Sequence, residues 1–334
     1  MALFAVLMCV NFASCSGSSD DSDIEPNEPQ KPKEYMVSLG LTGEINVSES
    51  PLSRVSGNDL YGIQVYSCPN IEGNTDYTPY AYGLFDNTSL MNIKLLEGYK
   101  YNFKATMVVD GKENIYSSDG RFFVSPFAVV ADHTELSNDF TYSNNKYMPL
   151  SNGYAKFKFN DRYLTADYAI IDRYYGEVED YIPSEGNTVE INMKRTVFGV
   201  KFIAENLTEG SIGIKMSSAP QMSIIYPNTE INYIINFANQ TKAYSEENHS
   251  ATLSTVLAWT KSDGVVVPLG THDITFKRNK LTTVTIKVAD ITTENGFGIT
   301  IDDEEKEMGE GDNLTVENGE ITDTTIGTET ETEG

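Results

Sequence analysis

Three histidines, one mid-chain cysteine and 49 acidic side chains are the groups with which this 334-residue chain could do chemistry. His133, His249 and His272 stand far apart, without the spacing of a metal-ligand set. Cys68 is followed by Pro69 and has no histidine beside it to make a thiolate nucleophile. So many carboxylates guarantee chance pairs, and a glycosidase pair cannot be picked out from number alone. The chain holds no G-x-S-x-G, no H-E-x-x-H and no phosphate-cradling glycine loop. The expectation is a protein that is not an enzyme and has neither a resident metal nor a cofactor.

Binding is a separate question. Six of the twenty tyrosines cluster in YTPYAYGLF (77–85) and DYAIIDRYY (167–175), with Tyr181 close behind. Exposed rings such as Tyr174 and Tyr175 could stack on sugars, with Asp172 and Glu177 accepting hydroxyl hydrogen bonds. Tyrosine also suits any strand half in water, and Trp259 is the single tryptophan. Both readings stay open at this level. Nucleic acid is excluded as a partner by a net charge of −25, since phosphate contacts need clustered Lys and Arg. Much of that charge lies at the C-terminal end, where residues 302–334 carry 13 acids against Lys306 alone. This segment lacks the EF-hand order of acids and glycine, so it reads as a solvated tail (304–334) rather than a calcium loop. Its sparse apolar residues Leu314, Val316, Ile321 and Ile326 leave room for a strand there.

The first residues carry a different chemistry. Ala2 to Ala13 is an apolar run of about 18 Å as a helix, too short for a ~30 Å hydrocarbon core, and it reads as a signal peptide over residues 1–14. Phe12-Ala13-Ser14-Cys15 resembles a bacterial lipobox, which makes Cys15 the expected lipidation site and the bilayer a partner. No Lys or Arg precedes the run, a departure from the usual leader. Residues 15–34 are rich in Ser, Asp, Glu and Pro and form a tether reaching up to roughly 60 Å if extended. The expected location is the outer surface of the outer membrane.

What positions any site is sheet. Tyr99, Tyr101, Phe103, Ala105 and Met107 alternate with polar residues, as do Ala155, Phe157, Phe159 and Val189, Ile191, Met193. The sets Ile212, Ile214, Met216 and Val284, Ile286, Val288 repeat the pattern. Asp110-Gly111, Glu209-Gly210, Asp263-Gly264 and Asn295-Gly296 are turn signals. No apolar stripe of period 3.6 persists, so long helices are not expected. The prediction is an all-β chain of two tandem antiparallel sandwiches over 35–186 and 187–303, divided at the Pro183–Gly186 cluster.

TADYAIIDRYYGE (165–177), followed by NTVEINMKRTVFGVKFIAENLTEGSIGIKM (187–216), resembles the junction between the two domains of fimbrillin-like proteins. The basic pair Lys194-Arg195, the strand Val197 to Ala204 and the turn Glu209-Gly210 carry the likeness, and GVVVPLGTHDITFKRNKLTTVTIKV (264–288) is compatible with it. The resemblance implies transthyretin-like sandwiches and a pilus subunit, tip or anchor of Bacteroidetes cells that binds surface ligands or glycans. It also implies trimming by a protease in the loop after the first strand, then joining to other pilus subunits by strand exchange. Arg54, in the loop SESPLSRVSGND (48–59), stands where that processing would occur, though an exposed loop arginine needs no such role. The removable strand would be YMVSLGLTG (35–43), with Val37, Leu39 and Leu41 filling its sockets.

Overall fold

Alternation decides which face of a strand is wet; the computed structural model shows which strands then meet. It describes residues 32–46, 57–129, 131–288, 298–302, 314–317 and 320–323. The first strands are β1 (Glu34–Gly43), β2 (Leu60–Pro69), β3 (Thr78–Phe85), β4 (Asn92–Leu96) and β5 (Tyr99–Val108). Four two-residue strands follow: β6 (Ser117–Ser118), β7 (Phe122–Phe123), β8 (Thr134–Glu135) and β9 (Thr141–Tyr142). Next come β10 (Ala155–Phe159), β11 (Arg162–Ala166), β12 (Arg173–Tyr181) and β13 (Thr188–Arg195). The second half contains β14 (Val197–Glu205), β15 (Ser211–Met216), β16 (Met222–Ile225), β17 (Glu230–Asn236), β18 (Ser250–Thr260), β19 (Val266–Lys277) and β20 (Leu281–Lys287). Then come β21 (Gly298–Asp302), β22 (Leu314–Glu317) and β23 (Glu320–Asp323). The α-helices among the described residues are two short ones, α1 (Gly111–Asn114) and α2 (Gln240–Ser245), as the lack of a helical stripe predicts.

Eight strands form the first sheet, in the order β4-β1-β13-β12-β5-β2-β3-β9. Their inward residues make one core, including Val37, Ile63, Ile93, Tyr101, Phe103 and Ile191. The sheet rolls until its two ends touch. The Tyr80 hydroxyl donates to the Lys94 carbonyl at 2.8 Å, and the Lys94 N–H donates to the Tyr142 hydroxyl at 3.0 Å. Those two tyrosines, edge to face at 5.5 Å, close the seam. Burial pushes both hydroxyls above the usual phenol range, which keeps them protonated, Tyr80 as donor and Tyr142 as acceptor.

The second half is a sandwich of the sheets β17-β14-β20-β21-β22-β23 and β16-β15-β18-β19. Ile212, Ile214, Leu257 and Phe276 pack across it on Val200, Phe202 and Ile286. Two pairings depart from the antiparallel expectation, because β1 runs parallel to β13 and β14 parallel to β20. The division also differs from the sequence reading. The strand β13, expected to begin the second sandwich at 187, lies in the first sheet between β1 and β12. Its Val189, Ile191 and Met193 belong to the first core, so Pro183–Gly186 is a turn within that sheet. Asp110-Gly111 likewise opens α1 instead of a hairpin, and Glu209-Gly210 leads from one sheet to the other.

Residues 109–172, in which alternation marks only the strand at Ala155–Phe159, lie between the two halves. Phe123, Phe127, Met148, Leu150 and Phe157 join one buried cluster with Leu60 and Tyr175 of the first half and Phe198 and Phe237 of the second. Gly153 shows how close the approach is: a Cβ there would lie 2.3 Å from the Phe237 carbonyl oxygen and 2.4 Å from that of Asp167. Asn236, fully buried, donates through Nδ2 to Gly153, Asp167 and Phe237 carbonyls at 3.1, 3.2 and 2.8 Å.

Candidate functional site

The strand β1 is held on both sides. Ser38 to Gly43 pair in register with Thr188 to Met193 of β13, and Glu34 to Ser38 pair with Leu96 to Asn92 of β4. β1 is thus interior rather than at an edge, and its place is a slot with unpaired backbone groups on either wall once it is vacated. Val37 is fully buried and Leu39 nearly so, while Leu41 is half-buried beside the same core. The outward residues Met36 and Ser38 are exposed, as a period of two demands.

The strand ends at Gly43, whose φ of +84° only glycine adopts without strain. The chain then turns into a single 3-10 turn, Glu44–Asn46, that brings the Glu44 carboxylate back over the junction. Glu44 Oε2 accepts from the Arg195 N–H at 2.7 Å, and Glu44 Oε1 accepts from Arg278 Nη1 at 3.1 Å. Arg278 Nη1 also donates to the Arg195 carbonyl at 3.1 Å, and Nη2 reaches Glu247 at 3.4 Å. The guanidinium of Arg195 is engaged elsewhere, with two hydrogen bonds of 2.8 Å to Asp172. Lys194 binds Glu247 at 3.1 Å and, with Arg278, holds that carboxyl below its usual range. So the basic pair singled out in the sequence sits at the junction, while Arg278, which nothing in its local sequence marks, completes it.

The other residues of interest fall elsewhere. Tyr174 and Tyr175 are 3% and 0% exposed, so neither ring offers a face to a sugar. Tyr175 packs instead against Tyr244, and Tyr174 belongs to the first core. Cys68 is buried with a free thiol. His133 stacks edge-on against Phe122, His249 binds Glu246 at 2.6 Å, and His272 approaches the Leu269 carbonyl at 3.1 Å. Among the described residues no three His, Cys, Asp or Glu side chains gather as a metal site. Nor is any helix among them long and apolar enough to cross a membrane. Cys15 and Arg54 lie outside the described residues.

No known family profile matches the chain, and no curated protein sequence matches it. Several solved structures do. The fimbrial anchor protein Mfa2 from Porphyromonas gingivalis is 10% identical, with 84% of this chain and 100% of that one covered and a TM-score of 0.37. The tip fimbrial protein Mfa3 of the same organism, truncated at its C-terminus, is 11% identical, with coverage of 80% and 99% and a TM-score of 0.31. A Bacteroides ovatus protein described as a candidate adhesin is 10% identical, with coverage of 86% and 96% and a TM-score of 0.38.

Proposed function

We propose that this chain is a non-enzymatic, lipid-anchored surface subunit of a fimbrillin-like pilus, joined to its neighbours by exchange of its first strand. The observation that carries this reading is the seat of β1. It fills a slot between two other strands, with Val37 and Leu39 buried in the core beneath. An extended segment of another subunit could repeat those main-chain bonds and alternate side chains. The lipobox at Cys15 supplies an anchor until assembly, the tether supplies reach, and a cut at Arg54 would free β1 together with that anchor. Burial of Tyr174 and Tyr175 takes away the residues on which a glycan-binding alternative rested.

Limited trypsin treatment of the purified chain tests the reading. Cleavage at Arg54 ahead of other arginines should be followed by ladders of oligomers, and Arg54→Ala should abolish both. Equal ladders from the two proteins would remove this loop from assembly, and absence of ladders from both would remove self-polymerisation. The anchor is tested separately by Cys15→Ala, which should shift the protein from the membrane fraction to the soluble one.

A further inference from the structure

The slot does more than accept apolar side chains. We infer that its far end is a carboxylate-recognition site, built from Arg278 and the Arg195 N–H, that selects incoming strands bearing an acid at a fixed distance from their apolar residues. The inference rests on the strand-exchange reading and adds to it the chemistry of the partner: an extended peptide whose acid lies seven residues beyond its first core-filling side chain.

The argument starts from Arg278. Its side chain is 5% exposed, at the start of the turn between β19 and β20, and its Nε has no partner among the described residues. A cation buried to this degree must be answered either by a full set of neutral acceptors or by an anion, and Arg278 has a single carbonyl beside it. Glu44 is that anion, since its carboxylate lies within hydrogen-bonding distance of Arg278. The other acid in reach, Glu247, is 73% exposed and already shared with Lys194. Asp172 is taken by the Arg195 guanidinium. When a cut at Arg54 lets the preceding residues leave, Glu44 departs with β1. Arg278 is left with the solvated Glu247 and a carbonyl, and the Arg195 N–H loses its acceptor altogether.

An incoming strand that offers only Val- and Leu-like groups would fill the sockets and leave both donors unanswered. One that carries a carboxylate where Glu44 stands would satisfy both at once. The spacing is set by register, since Val37, Leu39 and Leu41 point inward and Glu44 follows one residue after the Gly43 turn. The site therefore reads apolar residues at alternate positions, a residue able to adopt positive φ, and then an acid. Arg278 belongs to the second half, so the same contact ties an occupant of the first sheet to the sandwich that follows it.

The test uses the intact chain. Hydrogen exchange should be followed by mass spectrometry in wild type, Glu44→Gln and Glu44→Ala, comparing the amides of β1 with those of β5. Glu44 is one-third exposed, so these variants should fold. If the carboxylate is read, β1 exchanges at least about tenfold faster in both while β5 stays within about twofold, and the Glu44→Gln effect disappears in an Arg278→Gln background. Unchanged β1 exchange overturns the inference, as does an equal rise in β1 and β5, which would mark a general stabilising role. A second arm adds a labelled synthetic peptide of residues 34–46, with Glu44 or with Gln in its place, to the trypsin-nicked chain. Tenfold or greater preference for the acid-bearing peptide supports the inference, and equal capture overturns it. If neither peptide is captured, strand exchange fails, while the exchange measurement on the intact chain still decides the carboxylate site.

Discussion

Among the described residues Arg173 is the largest fully buried side chain, and no carboxylate there pairs with it. Its Nε donates to the Thr106 hydroxyl at 2.9 Å, and its two terminal nitrogens donate to the Asn152 and Leu150 carbonyls at 2.8 Å each. Burial lowers its pKa to about 9, so the three acceptors are what keep the charge in place. Arg173→Leu should cost about 3–5 kcal/mol in urea denaturation, because it strands several buried acceptors together. The sequence shows an arginine among tyrosines and invites a surface reading; its partners are main-chain atoms of residues 150 and 152, which no local pattern announces. Tyr174 and Tyr175 mislead for a related reason. Both occur where β12 is covered on its two faces, and alternation alone reports one. A smaller effect concerns Asp86, where partial burial is outweighed by hydrogen bonds from Lys112 and Asn138 that hold its carboxyl below 3.8. Its stabilising contribution is complete above that pH and lost as pH falls through the lower folded-state value. Wild type should therefore lose more stability than Asp86→Asn in denaturation midpoints measured as pH is lowered through and below 3.8.

The period of two correctly placed inward residues along β5, β10, β13 and β15, because parity along a strand is a local property. Pairing is not local. The partner of β1 lies about 150 residues further along, and nothing in either strand's alternation names the other. The same limit explains the misplaced boundary, since β13 looks equally suited to either sandwich until its register with β1 is known. At this scale the tyrosine seam invites a test. Tyr80→Phe and Tyr142→Phe each remove one hydroxyl bond to Lys94, and each should cost about 0.5–1.5 kcal/mol. Amide exchange at Lys94 should rise in Tyr142→Phe above that of neighbouring β4 amides. No rise would mean that the rolled sheet stays shut through side-chain packing alone.

Across the whole molecule, one buried cluster runs from Leu60 in the first half to Val288 in the second, through the connecting residues 109–172. The first sheet keeps a core of its own, but its outer face joins this cluster through Leu60, Leu84 and Tyr175, so the two halves should unfold together. Trp259 makes this measurable, being the single tryptophan, buried in the second sandwich. Gly153→Ala, which forces a methyl group against the Phe237 and Asp167 carbonyls, should destabilise by roughly 2 kcal/mol or more. The fluorescence transition of Trp259 should move with the tyrosine circular dichroism of the first half. Separate transitions would show that the halves melt independently.

The seat of β1 also has a mechanical meaning. If Cys15 carries the proposed lipid, the chain between it and the fold enters β1 at the strand's N-terminal end, and a load between anchor and fold arrives along the strand's own axis. A strand gripped on both flanks and pulled lengthwise loads its hydrogen bonds in shear, and they must yield together. A strand peeled sideways gives them up singly. Before any cut at Arg54, β1 is thus placed to be the strong link of a molecule under tension. In the proposed assembly, a strand from a neighbouring subunit seated in the slot would carry the load between subunits in the same way.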